Sequence, residues 1–247
     1  MSISFVIPCY NCEGIIQNSI KKLINKLIKL RISKFEIVVI DDGSKDDTYK
    51  KLKKIKNKKV KIIKNSSNLG KSSSLIKGIK RSAYNKVILC DSDLPYFEYL
   101  PRLIRLLNTH HLVYINRKSP KSRLKTRKLN LYQICRYFIG RIVCLIINLT
   151  LLKKDTGDTQ AGLKGFIKPK GFNKFKFISK KFFFDAELMT LYFKSGAKLA
   201  SIPLKYKIYA NSTIKLIAFE NFIYLYELVK MILFYQLNKV KRINFNN

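Results

Sequence analysis

Three observations predict an α/β fold with a mostly parallel central sheet and helices on both faces. Short apolar runs alternate with stretches of helical apolar spacing between residues 3 and 116, the pattern of successive strand and helix units. Several runs end in clustered carboxylates, which parallel strands would gather along one sheet edge. The chain has 247 residues, 47% of them hydrophobic, enough for a full core in one domain and unlike a disordered chain.

Ile3 to Pro8 (ISFVIP) forms the first strand and ends in the loop signal Pro8-Cys9-Tyr10-Asn11. From Glu13, the apolar residues Ile16, Ile20, Leu23, Ile24 and Leu27 recur at helical spacing. Phe35 to Ile40 is the second strand, closing on Asp41-Asp42-Gly43-Ser44. A helix-like segment follows from Lys45 to about Asn57, with Asp46 and Asp47 near its start, where the helix dipole favours acids. Lys58 to Lys64 gives a short third strand, and Asn68-Leu69-Gly70-Lys71 turns into a helix reaching Ala83. Lys86 to Cys90 (KVILC) is the fourth strand and delivers Asp91-Ser92-Asp93 at its carboxyl end. Leu100, Leu103, Ile104 and Leu107 mark another helix, and Leu112 to Asn116 a fifth strand.

Composition changes at Arg117. Seven of the twelve residues from Arg117 to Lys128 are Lys or Arg, so this loop is either a phosphate-collecting lip or a solvated basic segment. Leu129 to Leu152 is a long apolar helix with Arg136 and Arg141 in its middle, suited to a membrane interface or to the core. A polar cluster from Asp155 to Lys164 runs into a strand through Phe166 and Ile167. Phe182 to Leu188 opens a helix, with Asp185 and Glu187 either at its N-terminus or in a site, and Ala200 to Lys205 is a late edge strand. Thr213 to Leu237 carries an apolar face bordered by lysines, a surface-lying amphipathic helix or a packed one.

The charge balance, 50 Lys+Arg against 15 Asp+Glu for a net +35, favours anionic partners: phosphorylated substrates, an anionic membrane surface or nucleic acid. Nucleic acid leaves the ordered acidic strand ends unexplained, so no nucleic-acid partner is expected. Five cysteines without a signal peptide read as reduced thiols in a cytoplasmic setting. Cys9 and Cys12 form a C-x-x-C that no second pair completes into a zinc site. No run of eighteen uncharged apolar residues appears, so membrane contact is expected to be peripheral, on the cytosolic face. Asp91 and Asp93, hard oxygen donors one residue apart at a strand end, suit Mg²⁺ or Mn²⁺ shared with a nucleotide diphosphate.

Taken in order, FVIPCYN, VVIDDGSKDDT, NLGKSSSLIKGI, CDSDL, DTQAGLKGF and FFDAEL, spanning residues 5 to 188, resemble the GT-A-fold, family 2 glycosyltransferases. DTQAGLK with FDAEL is similar to the branch that makes dolichyl- and polyprenyl-phosphate sugars. The resemblance implies an enzyme, a hexosyltransferase with inversion, acting on a nucleotide-sugar donor (UDP-glucose favoured over GDP-mannose) and a polyprenyl phosphate acceptor. The alternatives are a family 2 glycosyltransferase with a protein or glycan acceptor and, in a different class, a basic nucleic-acid-binding protein without catalysis. The resemblance implies nucleotide-sugar contacts from Pro8, Tyr10, Glu13, Asp41, Asp42, Lys71, Asp91 and Ser92, with the metal on Asp91 and Asp93. Asp158 would be the catalytic carboxylate, with Asp93 also in the catalytic set. Arg117, Arg123, Arg127, Gln160 and Lys164 would serve the acceptor phosphate. Residues 1–116 would then be the nucleotide-sugar half, 117–210 the acceptor half and 211–247 a basic membrane-associating tail. Two departures stand out: Cys12 replaces the acid usual after Pro-x-Tyr-Asn, and Pro95-Tyr96-Phe97 replaces the Gln-His-Pro frequent in mannosyl members.

Overall fold

The structure, a computed structural model, describes residues 1–125, 130–152, 156–206 and 220–238. In order these are β1 (Ser2–Cys9), α1 (Ile16–Lys29), β2 (Lys34–Asp41), α2 (Thr48–Lys53), β3 (Val60–Lys64), α3 (Lys71–Arg81), β4 (Lys86–Cys90), α4 (Leu100–Leu106) and β5 (Leu112–Ile115). There follow β6 (Arg123–Leu124), α5 (Leu131–Ile147), β7 (Leu163–Ile167), α6 (Phe184–Lys194), β8 (Leu199–Ile202), β9 (Lys205–Tyr206) and α7 (Glu220–Leu237).

Seven strands form one sheet in the order β3-β2-β1-β4-β7-β5-β8. Only β7 runs antiparallel to its neighbours, β4 and β5. The alternation of side chains along each strand feeds both faces. Ile3, Phe5 and Ile7 of β1 pack with α1, α2 and α4 on one side, and Val6, Val38 and Ile40 pack with α3 and α6 on the other. Burial of this scale is the main favourable term, at roughly 25 cal/mol per Å² of apolar surface. Pro203, which lacks an N–H, separates β8 from β9, and β9 pairs with β6 in a two-stranded sheet.

The chain builds β1, β2 and β3 outward in one direction and then crosses to place β4 on the other side of β1. That reversal makes the carboxyl ends of β1 and β4 a topological switch point, where open α/β sheets hold ligands.

The structure refines three of these readings. The second helix is shorter than predicted, Thr48–Lys53, and is preceded by a turn in which Asp46 Oδ1 accepts from Thr48 N at 3.0 Å. The long apolar helix runs from Leu131 through a π-helical turn at Asn148–Leu152. Over 22 residues, with mean hydropathy 1.7, it is long and apolar enough by length and composition to cross a membrane, although Arg136 and Arg141 interrupt its apolar run. Finally, of the two readings left open for the last helix, α7 packs one face on the domain, where Leu228, Met231 and Tyr235 meet Ile147, Leu151 and Phe183.

Candidate functional site

Three loops converge at the switch point. Asn11 Oδ1 accepts from Lys45 N at 2.9 Å and Asn11 N donates to Ser44 Oγ at 3.0 Å, clasping the loop after β1 to that after β2. Cys12 ties both to the loop after β4: its N–H reaches Thr48 Oγ1 at 2.7 Å and its Sγ lies 3.2 Å from Ser92 Oγ. The residue replacing the family's usual acid therefore braces the middle of Asp91-Ser92-Asp93. Glu13 points elsewhere, accepting from Asp47 N at 2.9 Å at the start of α2.

Asp41 and Asp42 take different jobs. Both Asp42 oxygens are used within the protein, by Asn65 Nδ2 (2.8 Å), Leu69 N (3.0 Å) and Gly70 N (2.9 Å). Asp42 thus shapes the loop before α3, while it was expected among the nucleotide ligands. Asp41 Oδ1 accepts from Ser44 N at 3.1 Å, while its buried Oδ2 has no hydrogen-bond partner. A buried carboxylate oxygen left unpaired is costly, and a ligand N–H or O–H is a natural complement. Pro8 is buried on β1 and Tyr10 is half-buried beyond it.

Asp91 leaves β4 half-exposed and Asp93 is exposed. Lys71, the first residue of α3, sits 2.6 Å from Asp91 Oδ1 and 3.8 Å from Asp185 Oδ2. Burial alone would lower the Lys71 pKa, but Asp91 and Asp185 outweigh it and hold the ammonium firmly charged. Gly70 is at φ +99°, where an L side chain is strained. A Cβ at Gly162 would collide with Asp91 Oδ2, so a glycine is what leaves that oxygen room. Partial desolvation by the surrounding protein and the neighbouring Asp91 charge raise the Asp93 carboxyl above its usual range. Leu94 and Tyr96 follow at φ +52° and +58°, backbone strain of the kind found at functional sites.

Among the described residues, no group of three or more His, Cys, Asp or Glu side chains is placed to hold a metal ion by itself. Two adjacent carboxylates with an open approach fit a divalent ion whose other ligands come from a diphosphate and water.

On the other flank, Arg117 forks onto Asp158, with Nε on Oδ2 and Nη2 on Oδ1 at 3.0 Å. Asp158 is fully buried. Burial would raise its pKa, but the Arg117 charge and hydrogen bonds hold it below the usual carboxylate range. Arg117, expected on a phosphate, instead spends its fork on Asp158, and Asp158 serves that guanidinium and Gln160 N (3.0 Å). Lys164 also departs from expectation. Its side chain is wholly buried, 2.9 Å from Asp185 Oδ1 and 3.1 Å from Thr159 O, so it cannot reach an acceptor phosphate in this arrangement. Gln160 Nε2 is buried without a partner. Arg123 is exposed on β6, and Arg127 lies outside the described residues. Asp185, for which the sequence left a helix N-terminus and a place in the site both open, stands in the first turn of α6 and joins Lys71 to Lys164.

The α5 helix lies against this flank. Asn148 Nδ2 donates to Gly157 O at 3.1 Å and its Oδ1 accepts from Thr156 Oγ1 at 2.7 Å. Outward, α5 exposes Leu131, Phe138, Ile142 and Leu145, and α7 exposes Phe222, Leu225, Tyr226 and Leu233, each more than half accessible.

The family model "Glycosyl transferase family 2" matches residues 4–178. An uncharacterized glycosyltransferase of Synechocystis is 36% identical over 126 residues, 48% of this chain and 38% of that protein. The dolichol-phosphate mannosyltransferase of Pyrococcus furiosus is 28% identical over 165 residues, 66% of this chain and 45% of the relative. The chain therefore spans less than half the length of these curated relatives. Among solved structures, glucosyl-3-phosphoglycerate synthase from Mycobacterium tuberculosis, in complex with Mn²⁺, UDP-glucose and phosphoglyceric acid, matches with TM-score 0.62 at 16% identity. The match covers 94% of this chain and 79% of that one, and it is a likeness of fold.

Proposed function

The chain belongs to glycosyl transferase family 2 and has its GT-A fold, and from that premise we propose that it transfers a hexose, with inversion, from a nucleotide sugar to a polyprenyl phosphate at a membrane surface. UDP-glucose is the favoured donor. The observation that carries the reading is the adjacency of an acidic, lysine-flanked donor crevice to a loop bonded to an apolar, outward-facing helix: Asp91 and Asp93 at the switch point, Asn148 of the helix's π-helical end on the Thr156–Gly157 loop. The mannosyltransferase relative, named for a dolichol-phosphate substrate, supports the acceptor class.

In this reading Asp41 Oδ2 accepts from the nucleoside, with Pro8 and Tyr10 lining its seat. Asp91 and Asp93 hold Mg²⁺ or Mn²⁺, which supplies Lewis-acid stabilisation of the departing diphosphate. Lys71 adds a fixed positive charge beside that leaving group, where charge grows in the transition state. Asp158 keeps Arg117 oriented as a wall between donor and acceptor, and Gln160 Nε2 offers a donor to the sugar or acceptor. Arg123, with Arg127, Lys118 and Lys125, collects the acceptor phosphate. That phosphate, with a second pKa near 6, is largely dianionic at pH 7 and needs no strong base. The outward apolar residues of α5 and α7 seat the protein in the headgroup region, and basic residues near an anionic leaflet add about 1 kcal/mol each. Residues 117–206 thus act as the acceptor half and 1–116 as the donor half.

The test is a donor panel (UDP-glucose, UDP-galactose, UDP-N-acetylglucosamine, GDP-mannose) with Mn²⁺ and a short polyprenyl phosphate. Metal-dependent lipid-linked product from one donor is expected. Donor hydrolysis with no lipid product would move the acceptor to a protein or glycan, and no turnover of any donor would remove the enzymatic reading. For the membrane component, Phe138→Ser with Ile142→Ser and Leu145→Ser is expected to reduce sedimentation with anionic vesicles at least tenfold, given roughly 1.5–3 kcal/mol per buried apolar side chain; unchanged sedimentation would sink it.

A further inference from the structure

We propose that Glu227, on the outer helix α7, is a positioning residue for the donor crevice, acting through the 178–183 loop on the Lys71 end of α3; this rests on the donor-site reading above. Six consecutive backbone N–H groups of that loop converge on two carboxylates. Ile178 and Ser179 donate to Glu187, each at 2.8 Å. Lys180, Lys181 (2.7 Å), Phe182 (2.9 Å) and Phe183 (3.3 Å) donate to Glu227. Glu227 is 6% exposed. A carboxylate has about four lone-pair sites, so this loop fills its acceptor capacity. Such charge-assisted bonds are about twice as strong as neutral ones.

The same loop closes the start of α3. Ser72 N donates to Lys181 O at 3.0 Å and Ser73 N to Lys180 O at 2.9 Å, satisfying N–H groups that a helix leaves unpaired in its first turn. Ser73 Oγ also donates to Lys180 O at 2.7 Å. Ser72 Oγ accepts from Phe184 N at 3.1 Å and lies 3.0 Å from Ser179 Oγ. Gly70 packs so closely that a Cβ there would stand 2.9 Å from Lys181 Cα. Lys71 lies between Gly70 and Ser72, both of which touch the loop, and its ammonium is the group on Asp91. The line from Glu227 to the metal-binding carboxylate is therefore continuous: carboxylate, loop N–H groups, loop carbonyls, first turn of α3, Lys71, Asp91. Tyr235 OH on Glu187 at 3.0 Å fixes the far end of α7 to the same strap.

Replacing Glu227 by Gln keeps the side chain's size but exchanges one acceptor oxygen for an NH₂ that faces N–H donors. The loop then loses part of its anchor, and Lys71 its fixed seat.

The experiment is calorimetric titration of UDP with Mn²⁺ into the full chain, comparing wild type, Glu227→Gln, Lys71→Ala and the double variant. Expected are a Kd about tenfold weaker in Glu227→Gln at unchanged stoichiometry, and a double variant little worse than Lys71→Ala alone, because the two act in series. A merely structural Glu227 would lower stoichiometry through misfolded protein and leave Kd of the remainder unchanged. Ser73→Ala, which removes one strap bond and is conservative enough to fold, is expected to weaken UDP two- to threefold in the same sense. Unchanged Kd in Glu227→Gln and Ser73→Ala, or full additivity with Lys71→Ala, would overturn this inference alone. Absence of UDP binding by wild type, with GDP and Mn²⁺ titrated in the same way and also failing to bind, would overturn the donor-site reading and this inference with it.

Discussion

Two lysine–aspartate pairs lie side by side and behave as opposites. Lys71 and Asp91 are about a third accessible at 29% and 35%, while Lys164 and Asp185 are 0% and 5% exposed; Lys71 also approaches Asp185. The open pair can exchange partners when a metal and a diphosphate arrive, since water and ligand reach both groups. The closed pair cannot, because separating two buried charges exposes each to the full desolvation cost. The molecule thus uses one kind of interaction twice, once as a replaceable contact in a crevice and once as a fixed point holding that crevice in register. Arg117–Asp158 stands between them, its acid fully buried and its guanidinium partly accessible.

The sharpest way to break this contrast is to remove the cation of the closed pair. Lys164→Met leaves Asp185 buried without its nearest charge, and we expect about 3–5 kcal/mol of lost stability in denaturant unfolding. Lys71→Met, at the open pair, is expected to cost less than about 1 kcal/mol in the same assay while weakening donor binding.

Arg117→Met sharpens the comparison through pH. In the wild type Asp158 has a lowered native pKa, so its contribution is fully present above its unfolded value near 4 and is lost as pH falls through its lowered native value. Without Arg117, burial dominates and raises that pKa, so the sign inverts: stability then falls as pH rises above about 4, by up to about 1.4 kcal/mol per pH unit. Thermal unfolding at a series of pH values between 3 and 7 reads both limbs. A variant with the wild-type acid limb would show that Arg117 does not control Asp158. The smallest effect is expected at the exposed lip, where Arg123→Ser should raise the KM for the lipid phosphate several-fold and leave the donor KM unchanged, as one surface charge contributes about 1 kcal/mol.

Much of the fold was legible because its strands are short, apolar and closed by turn residues. Lys86–Cys90 was predicted and found with the same bounds, and every strand from Ile3 to Asn116 appears where the apolar runs place it. The late elements were partly legible: nothing local says that Leu163–Ile167 slots antiparallel between β4 and β5, since that position is fixed by long-range pairing. Residue types along the site edge were also legible, whereas their orientations were not. Asp41 and Asp42 are neighbours in sequence, yet one keeps an unpaired oxygen and the other is consumed by the Asn68-Leu69-Gly70 loop. The family resemblance put Lys164 beside Asp158 and Gln160 on the acceptor phosphate. Its apolar strand neighbours Leu163 and Phe166 were the better guide to a buried ammonium. Glu227 left a faint trace, an acid beside Leu228 and four residues before Met231 on the packed stripe of an apolar helix. Only the tertiary structure brings it to the strap over α3.

The most direct test of the account is calorimetric titration of UDP with Mn²⁺ into wild type and into Asp91→Asn with Asp93→Asn. The account predicts Mn²⁺-dependent binding by wild type and a loss of at least about 100-fold in the variant, with unfolding temperature within a few degrees because both side chains lie in the open part of the site. Equal affinity in the two proteins, or binding indifferent to Mn²⁺, would contradict the claim that the open carboxylates after β4 are the donor's metal site.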